Sequence, residues 1–179
     1  MRLSKIIISV SALLIGICVA LVATTAQAEN NHVQWERILG VIVPGTAAGG
    51  LNVVAGVESV GLSWAVTRGK AKVNLETGRM MFDVKGLVLR AAPPIAASPV
   101  IGVPSPLVTM VKGTVVCNST GAVVLVDTAV VPLSAQGNAR FHGTVALPSV
   151  CENAAFLIRV ADSNFLFDRW IAHGAVRKP

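Results

Sequence analysis

Lys70-Ala71-Lys72-Val73-Asn74-Leu75-Glu76-Thr77-Gly78-Arg79-Met80-Met81-Phe82-Asp83-Val84-Lys85 is the stretch from which the fold is read. Lys70, Lys72 and Asn74 alternate with Ala71, Val73 and Leu75, the period of two that marks a half-buried strand. Glu76-Thr77-Gly78 then supplies a turn, with a glycine for a left-handed position. The return strand, Arg79 to Arg90, sets Phe82 and Val84 on one face and Asp83 and Lys85 on the other. Gly86 interrupts that alternation where a bulge would fit.

Outward from this hairpin the same grammar repeats. Leu107 to Cys117 and Ala122 to Pro132 flank the turn Asn118-Ser119-Thr120-Gly121, and Phe156 to Ala161 and Leu166 to Val176 flank Asp162-Ser163-Asn164. Arg140 to Leu147 reads as a further strand. Ile38 to Val66 is apolar and rich in glycine, which excludes a continuous helix and leaves short strands and turns. Residues 91–106 hold five prolines and form a long connection, since proline cannot donate to a central ladder. The expected fold is all-β: a single antiparallel β-sandwich or jelly-roll-like barrel.

The amino terminus reads as a cleavable signal peptide over residues 1–28. Arg2 and Lys5 precede an apolar run from Ile6 to Val22, and Ala26-Gln27-Ala28 offers the small residues that a signal peptidase reads. Cys18 has Ile17 before it, inside the apolar run, which does not suit a lipidated cysteine. Cleavage leaves 151 of the 179 residues, one domain's worth, with a polar start at 29–37 and a β-domain over 38–179. The expected location is secreted, periplasmic or extracellular.

In that oxidising setting Cys117 and Cys151 are expected to pair. They are too far apart in sequence for a Cys-x-x-Cys redox site, so the bridge reads as a staple.

Composition narrows the function classes. The formal charge of +6 falls to +4 without Arg2 and Lys5, and the remaining bases are scattered along the chain with no interleaved aromatics, so nucleic acid is not the expected partner. The mean hydropathy is high, +0.68. However, the chain has no Tyr and only 3 Trp for the aromatic girdles of an outer-membrane barrel. Membrane contact is expected only during export.

No catalytic or metal-binding motif is legible. His32, His142 and His173 lack ligand spacing. Gly61-Leu62-Ser63-Trp64-Ala65 lacks the second glycine of a nucleophile elbow. Gly45-Thr46-Ala47-Ala48-Gly49-Gly50 lacks the Lys-Ser/Thr pair of a phosphate loop. His142 shares a strand face with Arg140 and Thr144, which reads as a solvated face. Asp162 and Asp168 flank a turn, where Asp is common. No cofactor and no metal are expected, and no catalytic residue is assigned.

The stretches Lys70 to Leu87, Val111-Lys112-Gly113-Thr114-Val115-Val116-Cys117, Phe156-Leu157-Ile158-Arg159-Val160 and Trp170 to Arg177 resemble those of uncharacterised small secreted bacterial β-rich proteins of unknown function. That resemblance implies export and a β-rich domain, and carries no activity to transfer. The first hairpin also distantly resembles the repeat of chordin-type modules, but their histidine-containing segment has no counterpart here.

The expectation is therefore an exported, non-enzymatic β-domain with a binding or structural role at the cell envelope or outside the cell. The candidate binding loop is the proline-bearing segment with Pro94, Ile95, Val100, Ile101 and Val103, and the Gly-rich stretch Thr46 to Gly56 lies beside it. The alternative is a secreted hydrolase whose residues meet only in three dimensions, drawn from Asp127, His142, Asp162, Asp168 and His173. Its discriminator is a concave pocket that holds two or more of these side chains.

Overall fold

A computed structural model of the chain describes residues 31–42, 51–90, 108–162 and 168–178. Residues 1–28, expected to be a signal peptide, the candidate loop residues Pro94, Ile95, Val100, Ile101 and Val103, and the tip of the last hairpin lie outside the described residues. The strands are β1 His32–Gly40, β2 Val53–Val54, β3 Val57–Glu58, β4 Trp64–Ala65, β5 Arg68–Asn74, β6 Arg79–Lys85 and β7 Val88–Leu89. They continue with β8 Met110–Ser119, β9 Ala122–Asp127, β10 Val131–Pro132, β11 Ala139–Thr144, β12 Glu152–Val160 and β13 Trp170–Lys178. There is no helix among the described residues.

Nine of the strands form one antiparallel sheet in the order β10-β8-β12-β13-β1-β5-β6-β11, with β9 also paired to β8. The deciding hairpin is its β5–β6 pair, with Arg68↔Lys85 through Val73↔Met80 in register. Ala71, Val73, Met80, Phe82 and Val84 point to the core. Gly78 takes the left-handed conformation the turn needs (φ 67°).

The sheet folds over on itself. Four strand steps separate β6 from β12, about 19 Å on a flat sheet at the usual strand spacing. Nevertheless the ring centroids of Phe82 and Phe156 are 5.8 Å apart, and those of Trp35 and Phe156 are 5.6 Å apart. The two ends of the sheet are also consecutive in the chain, because the turn 133–138 joins β10 to β11. In that turn the Gly137 N–H donates to Ser134 O and the Leu133 N–H to Thr109 O. Curling and joining the ends limits the exposed ladder groups that would invite edge-to-edge pairing. The expected all-β antiparallel domain is present: its main sheet is curled, and β2–β3 and β4–β7 form two further two-stranded sheets.

Local differences from the sequence reading have specific causes. The polar stretch 29–37, placed ahead of the domain, contributes most of β1, which lies between β13 and β5. Val33, Trp35 and Ile38 are its inward residues. Two exposed residues, Glu36 and Arg37, separate Trp35 from Ile38 and break the alternation. The expected strand Ala122 to Pro132 is two pieces on one edge of β8. At the break Thr128 substitutes for the ladder: its N–H donates to Gly113 O (2.8 Å), and its Oγ1 accepts from the Gly113 N–H (2.9 Å).

Cys117 and Cys151 are bonded, with Cα atoms 4.7 Å apart. Cys151 immediately precedes β12, whose Glu152 faces Asn118 of β8, so the bridge closes one end of the β8–β12 pair.

Gly113 sits at a close-packed point of the fold-over. A Cβ there would stand 2.8 Å from the Phe82 ring and 3.1 Å from the Phe156 ring. Neither ring is free to retreat, since Phe82 is 0% and Phe156 1% exposed. Gly113→Val is expected to destabilise by about 1–3 kcal/mol through overpacking, measured by denaturant unfolding. A variant as stable as the parent would show that this contact does not set the curl.

Candidate functional site

A cleft of about 550 Å³ opens where the ends of several strands meet. Its walls are Leu39 and Val41–Ile42 at the end of β1, Trp64 to Val66 on and after β4, Val53–Val54 of β2, and Trp170 of β13. Polar groups enter it from Asn52, Arg90 and His173. Its volume falls within the usual range of small-molecule sites, and its lining mixes apolar with polar groups. Leu39, Ile42 and Val53, all on this cleft, are 45%, 64% and 58% exposed.

Backbone bonds hold the walls. The Val41 N–H donates to Ile171 O (3.0 Å), Trp64 N–H to Val41 O (2.8 Å), Arg90 N–H to Ser63 O (2.8 Å) and Val60 N–H to Trp170 O (3.0 Å). Asn52 Nδ2 donates to Ile42 O at 3.0 Å, and the Trp170 indole N–H to Val57 O at 3.0 Å. The Trp170 and His173 rings meet edge to face, 5.5 Å between centroids. The Trp64 indole N–H is buried with no acceptor among the described residues. A buried donor without a partner costs about 1–3 kcal/mol, so this position departs from the general satisfaction of the interior.

The cleft touches the described parts of both segments named from sequence, while the named loop residues lie outside the described residues. Arg90, on its rim, is the residue before the proline-bearing segment 91–106, and Asn52 to Val54 belong to the Gly-rich stretch.

The residues of the hydrolase alternative do not assemble into one pocket among the described residues. His173 lies on the cleft, whereas His142 is exposed on β11 in line with Arg140 and Thr144. Asp162 Oδ2 accepts from the backbone N–H groups of Thr109 and Met110 and from the Thr109 hydroxyl, tying the end of β12 to the start of β8. Asp127 and Asp168 do come together, around two cations. Lys112 Nζ lies 2.7 Å from Asp127 and 2.6 Å from Asp168, while the Arg159 guanidinium lies 3.1 Å and 3.2 Å from the same two carboxylates. Arg159 Nε also donates to Asp168 O (2.8 Å), and the Thr114 hydroxyl to Asp127 Oδ1 (2.7 Å). Asp168 Oδ1 makes no well-aligned hydrogen bond despite its two close cations, so it is held by charge.

This cluster favours an ionised Asp127 rather than a proton donor there. Burial alone would raise Asp127, but the hydrogen bonds from Lys112 and Thr114 and the charge of Arg159 outweigh it and hold the carboxyl below its ordinary range. Burial alone would likewise lower the Lys112 ammonium, and its close pairing with Asp127 and Asp168 outweighs that and raises it. A general acid near neutral pH needs the opposite shift. The sequence signal for the cluster was Arg159 itself, a lone charge in the apolar run Phe156-Leu157-Ile158-Arg159-Val160. No group of three or more His, Cys, Asp and Glu able to hold a metal ion occurs among the described residues.

Comparison with known proteins found no matching family model, no matching curated protein and no matching solved structure.

Proposed function

We propose that this chain is an exported, non-enzymatic β-domain with a binding role at the cell envelope or in the extracellular space, and that the cleft between the ends of β1, β4 and β13 holds its ligand. The observation that carries the reading is the cleft: apolar walls on a hydrogen-bonded frame, with Arg90 and Asn52 as polar contacts. The fitting ligand is a small molecule with an apolar body and a carboxylate-like head, the body on the valines and tryptophans and the head toward Arg90. Export is supported by the signal-like residues 1–28 and by the Cys117–Cys151 bridge. Binding is preferred to hydrolysis because Asp127 and Asp168 are already neutralised by Lys112 and Arg159.

Decanoate serves as the probe, and the intrinsic emission of Trp64 and Trp170 as the readout, since both line the cleft. Titration is expected to shift the emission saturably. Ala65→Phe, which fills the cleft, should weaken binding by about tenfold or more. Arg90→Ala should weaken decanoate while leaving decanol unaffected. Unaltered melting of both variants would establish that their folds are intact. An emission that fails to respond, or an Ala65→Phe protein that binds as well as the parent, overturns the cleft as the site.

A further inference from the structure

The bases that look scattered along the sequence are gathered by strand alternation and register. With Ala71 and Val73 turned to the core, Arg68, Lys70 and Lys72 of β5 all lie exposed on the opposite face. Register then sets Lys85 of β6 against Arg68, Arg140 of β11 against Asp83, and Arg79 of β6 against Thr144. Six cations thus share one face of three adjacent strands. Its strand carboxylates there are Asp83, paired with Arg140 at 3.0 Å, and Glu36 of neighbouring β1, paired with Lys178 at 2.8 Å. Arg68, Lys70 and Lys85 have no ion-pair partner among the described residues. With Arg140, and with the ion-paired Asp83 and Glu36, they line a hollow of about 410 Å³, large enough to seat a phosphate group.

We propose that this face docks on the phosphate headgroups of an anionic lipid surface. The charges form a two-dimensional array, about 10 Å across three strands and about 13 Å along β5 by strand spacing and rise. A linear polyanion needs a stripe, whereas a planar headgroup layer meets an array all at once. No Trp or Phe stands among the exposed residues of these strands to stack bases, unlike the platforms of single-stranded nucleic-acid binders. Basic residues near an anionic leaflet add up, each acting within a Debye length. The surface is separate from the cleft, so this docking stands whether or not the cleft binds a ligand, and it goes beyond the expectation that the chain meets a membrane only during export.

The test is co-sedimentation of the mature protein with phosphatidylcholine vesicles containing about 30 mol% phosphatidylglycerol. Binding is expected to these vesicles and not to pure phosphatidylcholine, and is expected to be lost at about 0.5 M salt. Arg68→Glu with Lys70→Glu should weaken binding by about tenfold or more, while Arg169→Glu with Arg177→Glu, an equal change in net charge elsewhere, should leave at least half of it. Both pairs should retain the parent's melting temperature. Equal loss in the two double variants reduces the effect to net charge and overturns the proposal. Failure to bind the anionic vesicles overturns it too, as does binding to linear polyphosphate or single-stranded DNA at equal phosphate concentration without vesicle binding.

Discussion

Replacing both cysteines, Cys117→Ala with Cys151→Ala, is expected to lower the unfolding free energy by about 3.5–4 kcal/mol, the chain-entropy value for a closed loop of this length. The bridge spans a separation of 34 residues that contains β9, β10 and β11. Without it, the denatured chain regains the freedom to separate those strands. The native chain meanwhile keeps the β8–β12 ladder beside the bridge, Ala155↔Val116 through Val160↔Val111. The double variant should therefore fold and remain all-β while melting about 7–15 °C lower. Thermal unfolding followed by circular dichroism measures this. A midpoint within about 2 °C of the parent would mean that the ladder alone sets the stability of this region.

Arg159→Met is expected to cost about 3 kcal/mol, at the lower end of the range for removing one partner of a buried pair. The guanidinium side chain is only 7% exposed, whereas Asp127 and Asp168 are 35% and 44% exposed and regain some water when it leaves. The loss arises largely because two carboxylates remain on Lys112 alone, and because Asp168 O loses its donor at a residue with positive φ (65°). Asp127→Asn should be milder and should change the pH dependence. A carboxylate held below its ordinary range contributes stability above about pH 4 and loses it as pH falls through the folded value. Lys112, raised, contributes below about pH 10.4 and loses that stability as pH rises beyond it. Urea unfolding at a series of pH values should show a plateau between these limits. Its acid limb should be shallower in Asp127→Asn. An acid limb of unchanged steepness, or an Arg159→Met protein within about 0.5 kcal/mol of the parent, would show the cluster to be energetically idle.

Much of the architecture was legible because local rules and the tertiary fold agree. Lys70 to Lys85 satisfied alternation and turn chemistry, and its register is that of a plain hairpin. Val33 and Trp35 obeyed the same alternation, but the polar residues around them drew attention away from a strand that has two neighbours in the sheet. The split at Thr128 was not legible. It depends on a hydroxyl meeting the Gly113 amide across the ladder, which no sequence spacing announces.

The candidate site was less legible than the fold. A cleft whose walls come from residues 39, 53, 64, 90 and 170 is assembled by strand order, and strand order was unknown from the chain alone. The sequence offers Asp127 and Asp168 only as members of a set of residues distant along the chain. Their partners Lys112 and Arg159 decide what their meeting means, and those residues face each other only through the β8–β12 register.

By itself the sequence determined that the chain is β-structured, where its first hairpin turns, and that Cys117 and Cys151 could pair. These depend on period-two burial, on a left-handed turn residue and on cysteine count, all local properties. Only the tertiary structure decided that one sheet curls until Phe82 meets Phe156, that the scattered bases share a face, and that the acidic pair is neutralised. Each of these depends on which strands become neighbours, and that is fixed by packing between residues distant in sequence, where alternation carries no information.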